Sequence, residues 1–214
     1  MDTASLTTAG DPRVVIVGGG FGGLAAARAL RKSQARVLLI DKTNHHVFQP
    51  LLYQVATSIL APEHIGAPIR HVLRRQANTT VIQGTVTGAD VTKKVCLVDG
   101  VPLPLPYDYL VLATGVQHSY FGHDEYSAYA PGLKTLADAV QLRNKILGAF
   151  EACERTLAPH DYPELLTFVI VGGGATGVEL AGAIAELARQ TLAKEFRRLD
   201  PTSLKLILDR KSVV

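Results

Sequence analysis

The sequence predicts an α/β fold holding two Rossmann-like dinucleotide-binding domains, both incomplete in this chain. Three observations lead there. Arg13-Val14-Val15-Ile16-Val17 and Phe168-Val169-Ile170-Val171 are short, continuous β-branched or aromatic runs, the pattern of strands buried on both faces of a parallel sheet. Each runs directly into a cluster of glycines and then into strong helix formers. The second set repeats the order of the first, an internal duplication.

The elements follow in order. After the first glycines, Leu24-Ala25-Ala26-Ala27-Arg28-Ala29-Leu30 supplies a helix, and Arg36-Val37-Leu38-Leu39-Ile40 the strand that closes one βαβ unit. From His45 to Leu60 an irregular stretch turns helical, and Pro62 is placed to open a helix running towards Arg75. Short β signals come next: Thr80-Val81-Ile82, Gly84-Thr85-Val86, and Val95-Cys96-Leu97-Val98 before the turn dipeptide Asp99-Gly100. Tyr109-Leu110-Val111-Leu112-Ala113 is another buried strand, stopped by Thr114-Gly115. Apolar residues at helical spacing predict a helix from Thr135 to about Leu157, and Pro159 to Pro163 marks an internal boundary. Beyond it a helix is expected from Val178 to about Phe196, then a strand from Leu204 to Leu208. The domains are thus drawn as 11–120, a connecting loop and helix at 121–163, and 164–208.

Composition narrows the function classes. The chain has 214 residues, 47% hydrophobic and 19% charged, with mean hydropathy +0.17, an ordinary globular balance. A net charge of +3 without a dense Lys/Arg run argues against nucleic acid; Arg70-His71-Val72-Leu73-Arg74-Arg75 and Arg197-Arg198 read as solvated helix ends. Cys96 and Cys153 form no CxxC or CxxxxC pair, so they read as reduced thiols rather than a redox dithiol. No secretory signal and no membrane-spanning stretch is visible. His45 and His46 read as hydrogen-bonded loop histidines, and no metal site is expected.

The glycines carry the chemistry. Gly18-Gly19-Gly20-Phe21-Gly22-Gly23 is a G-x-G-x-x-G between strand and helix. One glycine makes the tight turn, one admits a pyrophosphate close to the backbone, and one lets helix and strand pack closely. The diphosphate then meets the helix N-terminus, where free N–H groups and the dipole favour negative charge. Asp41 ends the following strand where an acid would hydrogen-bond ribose hydroxyls. Gly172-Gly173-Gly174-Ala175-Thr176-Gly177 repeats the pattern. Glu179, just past Gly177, is expected in the first helical turn, where the dipole would stabilise its charge and a proton relay becomes feasible.

Tyr109-Leu110-Val111-Leu112-Ala113-Thr114-Gly115 resembles the ATG strand of two-dinucleotide-binding flavoproteins. His45-His46-Val47-Phe48-Gln49-Pro50-Leu51-Leu52-Tyr53-Gln54-Val55-Ala56-Thr57 makes the likeness specific, together with Gly172-Gly173-Gly174-Ala175-Thr176-Gly177-Val178-Glu179-Leu180-Ala181-Gly182. From about Arg13 to Leu208 the chain resembles bacterial type II NADH dehydrogenase, the single-subunit, non-pumping NADH:quinone oxidoreductase. The resemblance implies FAD on Gly18, Gly19, Gly20, Phe21, Gly22, Gly23, Asp41, Lys42, Gln49, Pro50, Leu51, Val86, Ala113, Thr114 and Gly115. It implies NADH on Gly172, Gly174, Ala175, Thr176, Gly177 and Glu179, with Glu179 as the proton relay. Hydride would pass from NADH to the flavin and two electrons on to a quinone. The implied protein is peripheral to the cytoplasmic face of a membrane, with a homodimer left open.

The family is about twice this long, so the chain reads as its front part, with the membrane anchor in the missing half. Asp209 to Val214 followed by a stop can be encoded by GATCGGAAGAGCGTCGTGTAG, which matches the start of a common sequencing-library adapter. The tail 209–214 is therefore expected to be non-native, and Asp209 receives no ribose role. Competing readings are a sulfide:quinone or ferredoxin-type reductase, and an inactive truncated fragment whose unpaired sheet edges invite aggregation.

Overall fold

Glycines, prolines and polar clusters cut the chain into short elements. In chain order these are β1 (Arg13–Val17), α1 (Phe21–Ala29), β2 (Arg36–Asp41), β3 (His45–Val47), α2 (Leu52–Ala56) and α3 (Pro62–Ile65). There follow β4 (Gly66–Pro68), α4 (Ile69–Leu73), β5 (Thr79–Gln83), β6 (Val86–Asp90), β7 (Val95–Val98), β8 (Leu105–Pro106) and β9 (Tyr109–Leu112). The last are α5 (Leu136–Arg155), β10 (Thr167–Val171), α6 (Ala175–Glu186), α7 (Ala193–Glu195) and β11 (Lys205–Asp209). This computed structural model describes residues 10–120, 122–156 and 163–209. They divide into two units, one from Met1–Val47 with Gly66–Val116, the other from Phe48–Ile65 with Gln117–Val214.

The first unit is built on a parallel sheet ordered β5-β2-β1-β9. Side chains alternate between faces along a strand, and Val14–Val17 of β1 and Val37–Ile40 of β2 are apolar at every position, so both faces must be covered. On one face Val14, Ile16, Val37 and Leu39 pack with Leu24 and Ala27 of α1 and with Ile69 and Leu73 of α4. On the other, Val15, Val17, Leu38 and Ile40 pack with Cys96, Val98, Leu105 and Tyr107. Cys96 and Val98 belong to the antiparallel sheet β6-β7-β8, which therefore caps that face. Burying an aliphatic side chain of this size is worth about 1.5–3 kcal/mol, so the two layers account for much of this unit's stability.

The helix expected from Pro62 towards Arg75 is broken. Proline lacks an N–H and biases the residue before it away from helical backbone, so Gly66-Ala67-Pro68 leaves the helix and pairs with β3 instead. His45 stands opposite Pro68, His46 opposite Ala67 and Val47 opposite Gly66.

In the second unit, α5 starts as expected at Thr135. The Thr135 Oγ1 accepts the Asp138 N–H at 3.1 Å while the Asp138 carboxylate accepts the Thr135 N–H at 2.8 Å, a closed capping box. Its inward face carries Ala139, Ile146, Phe150 and Cys153, and the Phe150 ring stacks on Phe168 at 5.8 Å. The helix ends at Arg155; Leu157, Pro159 and the rest of the expected boundary up to 162 lie outside the described residues. The short helix α2 packs against α5 and α6. β10 and β11 pair in parallel, as the second βαβ pattern requires. α6 opens at Ala175, three residues before the expected start, and continues through a π-helical stretch, Leu187–Leu192, into α7.

Candidate functional site

The first glycine turn joins β1 to α1 with Gly18 at φ 104°, a conformation that L side chains rarely adopt. The Gly18 N–H donates to the Ile40 carbonyl at 2.7 Å, fastening the turn to β2. Two glycines here are required by the protein's own packing: a Cβ at Gly18 would collide with the Ala113 carbonyl, and one at Gly23 with the Gly18 carbonyl. A Cβ at Gly19 would press on the Ile69 Cδ1, the movable end of a side chain. Gly20 and Gly22 differ: a Cβ at Gly20 would meet nothing within 4 Å, and one at Gly22 only the Ala113 Cβ at 3.7 Å. Both are exposed. Their missing side chains keep open space over the turn, which suits a ligand that must approach the backbone.

The acid predicted to follow is in place. Asp41 Oδ2 accepts the Gly19 N–H at 2.5 Å, and Oδ1 accepts the N–H and the hydroxyl of Thr43, each at 2.7 Å. α1 begins at its N-cap Gly20 with no side-chain cap and no acid in the first turn, so its partial positive charge is left for an anion. Lys42 is exposed, and its carbonyl accepts the Gln83 amide at 3.2 Å. Val86 opens β6 opposite Val98. The Ala113 N–H donates to the Val17 carbonyl at 2.8 Å; Thr114 is exposed and Gly115 takes φ 72°. All of these residues lie in the first unit. Gln49, Pro50 and Leu51 do not: they form a tight turn leading into α2 and belong to the second unit.

Sequence reasoning missed the residues that brace this loop. Thr43 completes an Asx-type turn on Asp41, a signal readable from an Asp two residues before a Thr. His46 was expected only as a hydrogen-bonded loop residue. Its Nδ1 lies 3.2 Å from the Gly19 carbonyl, and its ring meets Phe21 edge-on with centroids 5.0 Å apart.

The second turn repeats the first. Gly172 takes φ 112° and its N–H donates to the Asp209 carbonyl at 2.8 Å, while a Cβ at Gly177 would collide with the Gly172 carbonyl. Gly174 is the N-cap of α6, without a side-chain cap and with open space at its missing Cβ; Ala175 and Thr176 follow, both exposed. Glu179 corrects an expectation. Because α6 opens at Ala175 rather than after Gly177, the carboxylate stands beyond the first turn, which holds no acid, and the dipole effect fades there. Glu179 is exposed.

Cys96 lies buried in β7 and Cys153 buried in α5, neither in a disulfide. Burial pushes both thiols up from their ordinary values, and the Glu154 carboxylate adds to this at Cys153. Neither is poised as a thiolate nucleophile. Among the described residues no cluster of three or more His, Cys, Asp or Glu could hold a metal ion, and no helix is long and apolar enough to cross a membrane.

The chain thus carries two strand–turn–helix modules with open, uncapped helix N-termini, and the residues present at both turns fit diphosphate groups. Residues 12–203 match the family model described as pyridine nucleotide-disulphide oxidoreductase, and the chain belongs to that family. Among curated proteins, it is 49% identical over 199 residues to the type II NADH:quinone oxidoreductase Ndh of Mycobacterium tuberculosis, covering 92% of this chain and 43% of that protein. It is 50% identical over 204 residues to NdhA of the same organism, again covering 43% of that protein. The chain thus spans less than half the length of these relatives. Among solved structures, NDH2 of Plasmodium falciparum superposes with a TM-score of 0.85 at 23% identity, covering 93% of this chain and 41% of that one. The sulfide:quinone oxidoreductase of Aquifex aeolicus gives a TM-score of 0.60 at 22% identity, covering 92% of this chain and 51% of that one.

Proposed function

We propose that this chain is the cofactor-binding front part of an FAD-dependent NADH:quinone oxidoreductase that does not pump protons. The observation that carries the reading is the pair of equivalent glycine turns, the first with its acid, Asp41, closed onto the turn. Identity near 50% to two curated type II enzymes supports the choice of reaction within the family. Bound FAD would supply the redox chemistry, accepting hydride from NADH and passing two electrons to a quinone.

The chain's own residues bind and orient. The N–H groups at the open end of α1 take the FAD diphosphate, and Asp41, whose Oδ2 retains one lone pair beyond that used by Gly19, accepts from a ribose hydroxyl. Lys42, Val86, Ala113, Thr114 and Gly115 line the same cofactor, and the resemblance places Gln49, Pro50 and Leu51 towards its ring end. Gly172, Gly174, Ala175, Thr176 and Gly177 take the NADH diphosphate at α6. The Glu179 carboxylate carries a proton for quinone reduction. Buried thiols with raised pKa values disfavour the sulfide:quinone alternative, which needs reactive cysteines near the flavin. The proposed location is peripheral, at the cytoplasmic face of a membrane.

The test is optical. Purified protein should be yellow with a flavin spectrum, NADH should bleach it under anaerobic conditions, and an added quinone should restore the colour. A protein that binds FAD but is not bleached by NADH would overturn the reading.

A further inference from the structure

We propose that His46 is a positioning residue for the diphosphate turn, holding the Gly19–Gly20 peptide so that the Gly20 N–H faces the ligand; this rests on the FAD reading of that turn. Gly19 is gripped at both of its polar backbone atoms. Its N–H donates to Asp41 Oδ2 at 2.5 Å, and its carbonyl faces His46 Nδ1 at 3.2 Å. The two grips fix successive peptide planes, the one before Gly19 and the one after it. No peptide bond here is cis, and in a planar trans peptide the C=O and the next N–H point in opposite directions. A carbonyl turned inward to His46 therefore turns the Gly20 N–H outward. Outward is the open side: Gly20 is exposed, caps α1, and has nothing within 4 Å of its missing Cβ.

Both grips come from one short segment that is itself braced. The Thr43 N–H bonds Asp41 at 2.7 Å, and the one hydroxyl proton of Thr43 is shared between Asp41 Oδ1 at 2.7 Å and the His45 carbonyl at 3.1 Å, beside the start of β3. β3 pairs with β4, placing His46 opposite Ala67. Phe21, the first residue of α1, meets the imidazole at 88° and limits its rotation. For Nδ1 to donate to a carbonyl it must carry the proton, so the geometry assigns the Nδ1–H form; an unprotonated Nδ1 would set a lone pair against an oxygen.

Two measurements test this. Titrations of FAD, ADP and adenosine against the chain, and against His46→Leu and His46→Asn, separate diphosphate binding from base binding. His46→Leu should weaken FAD and ADP by about tenfold, the loss of one oriented donor to a charged group, and leave adenosine, which has no phosphate, within about twofold. His46→Asn keeps an amide donor near the Nδ1 position and should restore most of the affinity. Equal FAD and ADP affinity in the wild type and His46→Leu would overturn the inference while leaving the cofactor reading intact. A wild-type chain that binds neither FAD nor ADP would overturn that reading, and the inference with it. If His46→Leu fails to fold, nitrogen-15 shifts of the His46 ring in the ligand-free wild type decide: the Nδ1–H form is expected, and the Nε2–H form overturns the inference.

Discussion

The Asp209 carbonyl accepts the Gly172 N–H at 2.8 Å, the bond that Ile40 makes with Gly18 at 2.7 Å in the first unit. The strand registers agree, with Asp209 opposite Val171 and Ile40 opposite Val17. Asp209 is therefore the counterpart of Ile40 and not of Asp41, the acid that closes the first turn. The counterpart of Asp41 is residue 210, an arginine in this sequence, which lies outside the described residues. Neighbouring residues on a strand point to opposite faces, so a one-residue offset removes the Asp209 carboxylate from the ribose position. Asp209→Ala should accordingly change NADH affinity by less than about twofold, since a substitution away from a binding contact costs little. Quenching of NADH fluorescence reads this directly, and a tenfold loss would contradict the register.

Asp41 is expected to behave oppositely. Its carboxylate holds the turn through Gly19 and has one lone pair left, on Oδ2, for a ribose hydroxyl. Asp41→Ala removes a charged acceptor, a loss of about 1.5–3 kcal/mol, so FAD affinity should fall by about tenfold or more. A flavin fluorescence titration measures it; an unchanged dissociation constant would show that Asp41 serves the turn and not the ligand.

Much of this architecture is legible in the residues themselves. The strand runs at 13–17, 36–40 and 168–171, the two glycine turns and the start of the helix at Thr135 all formed where local chemistry placed them, because each depends on neighbours in the sequence. What escaped depends on partners far along the chain or on where a helix opens. A helix was expected from Pro62 towards Arg75, but Pro68 ends helical backbone, and pairing with β3 takes up Gly66 to Pro68. Glu179 was placed in the first turn by counting from Gly177, yet the extended backbone at Gly174 lets the helix start at Ala175. Nothing local to Gln49–Leu51 announces that it belongs with α5 and α6 rather than with the first glycine turn.

Gly23 and Gly20 should separate stability from binding. A Cβ at Gly23 collides with the Gly18 backbone, which cannot yield as a flexible side chain would, so Gly23→Ala should lower stability by about 1–3 kcal/mol. Gly20 has extended backbone, φ −73°, and open space at its Cβ. Gly20→Ala should therefore cost no more than about 1 kcal/mol, the usual range at a helix N-cap, while weakening FAD. Urea midpoints and flavin titrations on the two variants give the comparison. Equal loss of stability in both would mean that the open side of the turn is occupied by the protein itself.

Glu179→Gln should reduce NADH oxidation by quinone in the longer protein by about a hundredfold if the carboxylate carries the proton, within the usual range for a general acid or base. NADH affinity should stay nearly constant, because the amide is isosteric. Steady-state kinetics that show a changed KM and an unchanged kcat would assign Glu179 to binding alone.

Arg13 and Asp108 fasten the start of β1 to the strand beside it, and their pairing should be visible in the acid limb of stability. Asp108 Oδ2 accepts the Arg13 backbone N–H at 2.7 Å and its side-chain Nε–H at 3.2 Å, and the Asp108 N–H returns a bond to the Arg13 carbonyl at 2.9 Å. The hydrogen bonds from Arg13 hold the Asp108 carboxyl below its ordinary value of 3.8. A folded-state value that is depressed means that protonation opposes folding. The stabilisation is then complete above the ordinary value and is lost as pH falls through it towards the lower folded value. Asp108→Asn should reduce the urea midpoint at neutral pH, and the gap to the wild type should close as pH drops below about 4. A gap that stays constant from neutral pH down to about 3 would mean that the backbone hydrogen bond, which an amide oxygen can also accept, supplies what holds these strands together, and the charge supplies none.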